Sequence, residues 1–360
     1  MALSLYVDTE RWRAHQQTVL AEFPGLVPVA KGNGYGVGNR RLALESARLG
    51  STMIAFGTSY EAAEALAAEE YASAPADRYE GDLLVLAPLR PHEPNSPLPT
   101  RVIRTITDVT ALRALPDGSR VVVECMTSMR RHGIAPGDLV QLAEAVDDVT
   151  FEGFALHLPL DRPDGSDPVG EVVAWIATIA AAGLPTDTVF LSHLGSPEIA
   201  RLAELFPTTE FRARIGTRLW LGQARALAAR ATVLDVTPVA RGERYGYRQH
   251  RAPSDGHLLV VSGGTAHGVG LDGPKYHHGL IPRAKGIARA GLATVNRTLS
   301  PYSWQGRQLW FAEPPHMQVS ILFLPAGTRA PAIGGELDLT VRHTTTRFDR
   351  VVDSERPTGA

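Results

Sequence analysis

Two observations predict an α/β fold, a (β/α)8 TIM-like barrel followed by a C-terminal all-β domain. From about residue 26 to residue 221, short β-branched runs alternate with longer Ala/Leu/Glu-rich segments. Strand then helix, repeated about eight times over roughly 220 residues, argues for a parallel sheet with crossovers that closes into a barrel. After about Ala231 the helix-like runs nearly vanish, and short strands separated by Gly, Pro and Asp-Gly turns take over. The expected domains are therefore residues 1–230, the barrel, and 231–360, the β domain.

In chain order, strand-like runs fall at residues 26–30, 54–56, 83–86, 102–103, 121–123, 154–156 and 189–191. Residues 59–68 read as a helix with Ser59 as its N-cap, and residues 139–146 and 172–182 read as two more. The Pro-rich stretch at residues 91–99 reads as a loop. In the second domain, strands are expected at residues 258–261, 319–322 and 337–341. The tail after Asp353 is expected to fray.

Composition narrows the function classes. With 36 Lys+Arg against 38 Asp+Glu, the net charge is −2, which gives no support for a nucleic-acid surface. Hydrophobic residues make up 44% and charged ones 21%, as in an ordinary globular protein. The single Cys125 excludes an intrachain disulfide and a multi-cysteine zinc site. The N-terminal residues lack the pattern of a signal peptide, and the apolar run from Val172 is too short to span a bilayer. A soluble, cytoplasmic protein is expected, with no membrane partner. Only three of the basic residues are lysine: Lys31, Lys275 and Lys285.

Lys31 lies in the most informative segment, Val-Ala-Lys-Gly-Asn-Gly-Tyr-Gly-Val-Gly from Val29. An apolar strand ends at a lysine, and a glycine-rich turn leads into a helix. In a barrel, the C-terminal ends of the strands face the active site. A lysine there condenses with an aldehyde if burial or a neighbouring cation lowers its proton affinity. Taken alone, a snorkelling lysine beside a flexible loop explains the segment equally well.

The segment resembles the cofactor-lysine motif of alanine racemases, Lys-Ala-Asn-Ala-Tyr-Gly-His-Gly. Members of that family are fold-type III pyridoxal-phosphate (PLP) enzymes that pair a barrel with a β domain and act as homodimers with shared active sites. The resemblance implies that Lys31 carries PLP covalently and that Tyr35 reaches its phosphate. Gly32, Gly34 and Val37 replace the more usual Ala, Ala and His.

Further runs extend the resemblance. Glu124 to Gly133 is similar to Lys-Val-Asp-Thr-Gly-Met-x-Arg-x-Gly, which places Arg131 on the PLP phenolic oxygen and the substrate carboxylate. Glu124 stands where many members carry a carbamylated lysine, and it supplies the anion directly. His157 matches the histidine beside the cofactor ring that orients a second arginine. Ser196, at a helix start, matches a phosphate-binding serine. Arg212 to Thr217 resembles Val-Arg-Phe-Gly-Ile, which implies that Arg214 faces the pyridine nitrogen and that the Gly216 and Thr217 backbone meets the phosphate. A cation at that nitrogen disfavours its protonation and weakens the ring as an electron sink. Related decarboxylases place a carboxylate there, so the arginine favours racemisation.

In the β domain, Glu243 to Tyr247 resembles Val-Ser-Tyr-Gly-Ala-Thr-Tyr. The match implies that Tyr245 is the catalytic tyrosine delivered into the partner subunit's barrel, where a cationic environment would be needed for it to act as a base at neutral pH. Met317, in Pro-His-Met-Gln-Val, would offer a backbone amide to the substrate carboxylate, and Gln318 replaces the usual aspartate. The family's gating tyrosine is replaced near Gly263-Gly264, and its C-terminal phosphate-binding tyrosine corresponds to Phe348. The resemblance thus implies an isomerase: a PLP-dependent racemase interconverting L- and D-amino acids through Lys31 and Tyr245, its substrate alanine or something larger. Two alternatives stay open. One is another fold-type III reaction (aldol cleavage, dehydration or decarboxylation), with His343 and Asp349 as the candidate metal pair of the metal-assisted kind; the other is a PLP-binding homologue without turnover. No metal is expected for the racemase.

Overall fold

The structure, a computed structural model, describes residues 2–70, 78–90, 99–163, 165–271 and 298–354. Its elements in order are β1 (Leu3–Asp8), α1 (Thr9–Glu22), β2 (Val27–Ala30), α2 (Asn39–Arg48), β3 (Met53–Phe56), α3 (Ser59–Glu70), β4 (Asp82–Pro88), β5 (Val102–Ile106) and α4 (Val109–Arg113). Then come β6 (Arg120–Cys125), α5 (Leu139–Ala143), β7 (Thr150–His157), α6 (Pro168–Ala181), β8 (Thr188–Ser192), α7 (Ser196–Leu205), β9 (Glu210–Ile215) and α8 (Thr217–Leu221). From residue 227 on, strands and one short 3-10 turn (Thr265–His267) complete the described chain: β10 (Leu227–Val239), β11 (Arg244–Tyr245), β12 (His250–Arg251), β13 (Gly256–Ser262), β14 (Leu299–Trp304), β15 (Arg307–Phe311), β16 (Val319–Pro325), β17 (Glu336–Leu339) and β18 (Arg350–Ser354). Residues 91–98 of the Pro-rich stretch expected to form a loop, both Lys275 and Lys285, and the residues from 355 on lie outside the described residues.

The chain divides into two compact units. One comprises Arg13–Gly34 and Gly38–Gly222; the other comprises Met1–Trp12, Tyr35–Val37 and Gln223–Ala360. In the first, strands β2 to β9 pair in parallel and close into the expected barrel, β2 meeting β9 through Val27 opposite Arg214. Side-chain alternation sorts its residues. Val27, Val29, Met53, Ala55, Leu84, Ile103, Val122, Ala155 and Phe190 form an inner cluster. Their strand neighbours Val121, Val123, Phe154, Leu156, Val189 and Leu191 face the other way, onto Trp175, Ile176 and Ile179 of α6 and Leu202 of α7. Each such side chain, fully buried, stabilises the fold by about 1.5–3 kcal/mol. Helix α6 starts earlier than its apolar run because Asp167 accepts from the Gly170 N–H at 2.9 Å and Pro168 opens the first turn. The cap of α3 is Thr58 rather than Ser59: its Oγ1 accepts from the Glu61 N–H at 3.2 Å.

In the second unit, β13, β16, β15, β14, β17 and β10 follow one another, and a β10–β13 pairing closes them into a ring. Here the sequence reading of residues 1–230 as barrel is corrected for the first strand. β1 pairs antiparallel with β10 and parallel with β18. Leu3, Ser4, Leu5, Val7 and Asp8 are all buried, and a strand buried this thoroughly needs a partner on each edge. Tyr302 sits in the core of this unit, its hydroxyl donating to the Gly263 carbonyl at 2.7 Å.

Candidate active site

The inner face of the barrel changes character at the C-terminal ends of its strands. Stepping by two from the last inner apolar residue leads to Lys31 after Val29, Gly57 after Ala55, Glu124 after Val122, His157 after Ala155, Ser192 after Phe190 and, on β9, Arg214. Strand alternation alone therefore gathers these groups at one end of the barrel. Ser192 and Gly57 were missed in the sequence; the same period-two count finds both.

Lys31 sits on a tight turn in which the Gly34 N–H donates to its carbonyl at 3.1 Å, with Gly32 and Gly34 both at φ 61°. Its side chain reaches solvent, yet burial around the amine lowers its proton affinity, and the cations of Arg131 and Arg214 lower it further; Glu61 opposes them. The result is an amine that gives up its proton more readily than an ordinary lysine.

Glu124, 2% exposed, is the anion of the site. Its Oε2 accepts from Arg214 Nη1 at 3.2 Å, and its Oε1 lies 3.6 Å from Arg131 Nη2 and 3.5 Å from His132 Nδ1. The expectation that Glu124 holds Arg131 is thus met with an addition: the carboxylate bridges both arginines, and its closer partner is Arg214. His132 joins them unannounced by the sequence. Arg214, 6% exposed, donates from Nε to Ser192 Oγ at 3.1 Å, while its Nη2 is buried with no hydrogen-bond partner among the described residues. A buried donor left open in this way is costly unless something accepts from it.

Two further histidines at the site, His157 and His193, are biased toward the neutral form. Burial, reinforced by Arg214 and Arg131, drives the His157 pKa down to about 3. Burial also lowers that of His193, whose ring meets His157 edge-on at 4.9 Å and whose Nδ1–H donates to the Leu158 carbonyl at 2.8 Å. Thr127 Oγ1 donates to the His157 carbonyl at 2.6 Å.

The expected phosphate contacts stand as follows. Ser196 opens α7, but its hydroxyl donates to Glu22 Oε1 at 3.1 Å, and Glu22 is also paired with Arg218. Gly216 and Thr217 begin α8, with no side chain capping it. Tyr35, buried at φ 55°, belongs to the other unit, where a Cβ on its neighbour Gly36 would lie 3.0 Å from the ring of Phe348.

In that unit Tyr245 donates its hydroxyl to the Ala312 carbonyl at 3.1 Å. Burial and then the charge of Glu313 raise its pKa, the opposite of what a base at neutral pH requires. Met317 is 66% exposed. Gly263 and Gly264 have a packing reason: a Cβ would stand 2.7 Å from the Tyr302 hydroxyl at the first and 2.2 Å from the His316 carbonyl at the second. Asp349, of the candidate metal pair, is engaged by His267 at 3.1 Å and by the Leu3 N–H at 2.7 Å. Among the described residues, no group of three or more His, Cys, Asp or Glu side chains is arranged to hold a metal ion. No helix among them is long and apolar enough to cross a membrane.

A closed parallel barrel with a lysine and a carboxylate-bridged arginine pair at its strand ends, joined to an antiparallel β unit, defines a recognisable class of two-domain barrel proteins. The family described as "Alanine racemase, N-terminal domain" matches residues 7–221, and the chain belongs to the alanine racemase family. Solved structures agree on the fold. Alanine racemase from the D-cycloserine producer Streptomyces lavendulae is 18% identical, with a TM-score of 0.66, covering 98% of this chain and 97% of that one. The alanine racemase of Clostridium difficile 630 is 12% identical, with a TM-score of 0.70, over 99% and 96%. That of Bartonella henselae, solved with covalently bound pyridoxal phosphate, is 16% identical, with a TM-score of 0.65, over 95% and 91%. Among curated proteins no sequence matches.

Proposed function

We propose that this chain is a PLP-dependent amino-acid racemase. The observation that carries the proposal is Arg214: a guanidinium pinned by Glu124 and Ser192, with Nη2 buried and open. That donor suits an acceptor which stays unprotonated, as the pyridine nitrogen of PLP does beside a fixed cation. A lysine amine of lowered proton affinity at the same barrel end suits the aldehyde of PLP, so the residues present fit the cofactor. When bound, PLP supplies an electron-withdrawing ring that acidifies the substrate Cα–H.

The chain's own residues would do the rest. Lys31 Nζ moves a proton on one face of the substrate Cα. Tyr245 Oη, supplied by a second copy of the chain, does so on the other face. Arg131, held by Glu124, meets the substrate carboxylate in the bidentate geometry a guanidinium favours, and the Met317 backbone amide adds a donor. Tyr35, Ser196, Gly216 and Thr217 are the proposed phosphate contacts, and Ser196 would have to exchange Glu22 for that role. His157, neutral, would help hold the cofactor without adding charge. Positioned acid–base groups of this kind contribute roughly 10²–10⁴-fold.

One observation favours a second reading, a PLP-binding homologue without racemase turnover: the Tyr245 hydroxyl is occupied and its proton affinity is raised. One experiment separates the two. Protein loaded with PLP is expected to show a visible absorption band that Lys31→Ala lacks. Single L-amino acids in D₂O should then reveal which substrate loses its Cα–H and yields the D-isomer, with Tyr245→Phe impairing exchange from one antipode more than from the other. A protein without the band refutes PLP binding. A band without exchange from any amino acid refutes the racemase reading and leaves the homologue without turnover or another PLP reaction on the same fold.

A further inference from the structure

The residue after Lys31 is held at both of its peptide groups. The Gly32 N–H donates to Glu61 Oε1 at 3.0 Å, and its carbonyl accepts from Asn39 Nδ2 at 3.1 Å. Glu61 Oε2 accepts from the Gly57 N–H at 2.8 Å and the Thr58 N–H at 3.3 Å. With the Thr58 hydroxyl accepting from the Glu61 N–H, this last pair is an ordinary capping box at the start of α3. A cap does not need the bonds to Gly57 and Gly32, and the Gly32 bond crosses from the end of one barrel strand to the turn beyond another.

Space at this junction is set by Gly57. A Cβ there would stand 2.7 Å from Glu61 Oε2 and 2.9 Å from Lys31 Cβ, so only glycine lets the carboxylate and the lysine stem approach. The groups acting on the Lys31 amine are the cations Arg131, after β6, and Arg214, on β9, with Glu61 as the opposing anion. His157, at the end of β7, and His193, just after β8, share the same surroundings, and both have their proton affinity lowered.

We propose that Glu61 is a positioning residue for Lys31: it clamps the lysine-bearing turn to the end of β3 and offsets the two arginines that face the amine. The proposal deepens the racemase reading and rests on it for the role of Lys31.

The test reads Lys31 directly, on the full chain free of PLP. Acetylation of Lys31 in competition with a reference lysine peptide is followed by mass spectrometry across pH. Removing the anion leaves the arginines unopposed, so Glu61→Gln is expected to titrate Lys31 at lower pH and to speed its acetylation several-fold at pH 7. Glu61→Asp, which draws the charge back by one methylene, shifts it the same way by less, and it carries the test if the Gln variant does not fold. Thr58→Ala breaks the cap and is expected to leave the Lys31 titration unchanged. A Lys31 titration equal to wild type in the Glu61 variants, or moved as far by Thr58→Ala, makes Glu61 a helix cap only and overturns the proposal. Because no cofactor is present, a missing absorption band would end the racemase reading while this titration still decides the role of Glu61.

Discussion

Glu124 and Arg214 show how single residues shape the site. Each is almost fully buried, and a buried charge is tolerable only when paired and hydrogen-bonded. Their 3.2 Å contact meets that need and leaves one guanidinium nitrogen without a hydrogen-bond partner among the described residues. Burial, reinforced by the surplus of cations, also fixes the protonation of His157. Its folded pKa of about 3 lies below its ordinary value of 6.5, so between those values the unfolded chain binds a proton that the folded chain excludes. Stability therefore rises with pH across that window and is lost as pH falls through it. We expect His157→Gln to flatten the dependence of unfolding free energy on pH between about 3 and 6.5, read from urea titrations at a series of pH values. An unchanged slope would mean that the imidazole is already charged in the native protein.

Among the elements, β7 decides most. The pairing of β6 with β7 runs Val121 opposite Phe151 and then Val122 opposite Gly153, so Glu152 is an extra residue. Phe151 packs with the outward cluster, as do Phe154 and Leu156. Without the extra residue, strict alternation from Phe151 would turn His157 outward; the bulge reverses the parity and brings His157 inside. Gly153 makes the bulge possible, at φ 133° and with Thr188 O only 2.4 Å from where a Cβ would lie. Gly153→Ala should therefore destabilise the protein by roughly 1–3 kcal/mol, seen as a lower urea midpoint. A midpoint within error of wild type would show that the strand relaxes around the methyl group.

At the scale of the whole molecule, the N-terminal strand is the tie to watch. β1 lies between β10 and β18, and Leu3 enters the same core as Tyr302, Leu259 and Leu337. Deleting residues 1–8 would bare two strand edges and empty a core position. We expect the deletion variant to aggregate or to lose cooperative unfolding, measured by sedimentation and by circular dichroism during heating. A monodisperse variant with the wild-type melting temperature would show that β10 and β18 need no strand between them.

The sequence by itself determined the class of fold, because the change from strand–helix alternation to strands alone is written in local patterns of apolar and turn residues. It also pointed to Lys31 and His157, each following an apolar run, whereas Arg131 and Arg214 stood out only through the resemblance of their segments to the alanine racemase family. Pairings distant in sequence were beyond its reach. Nothing near Leu3 and Ser4 says that their partners lie at Ala231 and Arg350, since a buried strand looks the same wherever it pairs. Nothing near Glu61 says that its carboxylate reaches Gly32, and nothing near Ser196 says that its hydroxyl meets Glu22. Tertiary structure decided these contacts, because a local pattern sets which way a side chain faces and only barrel closure sets what it meets there.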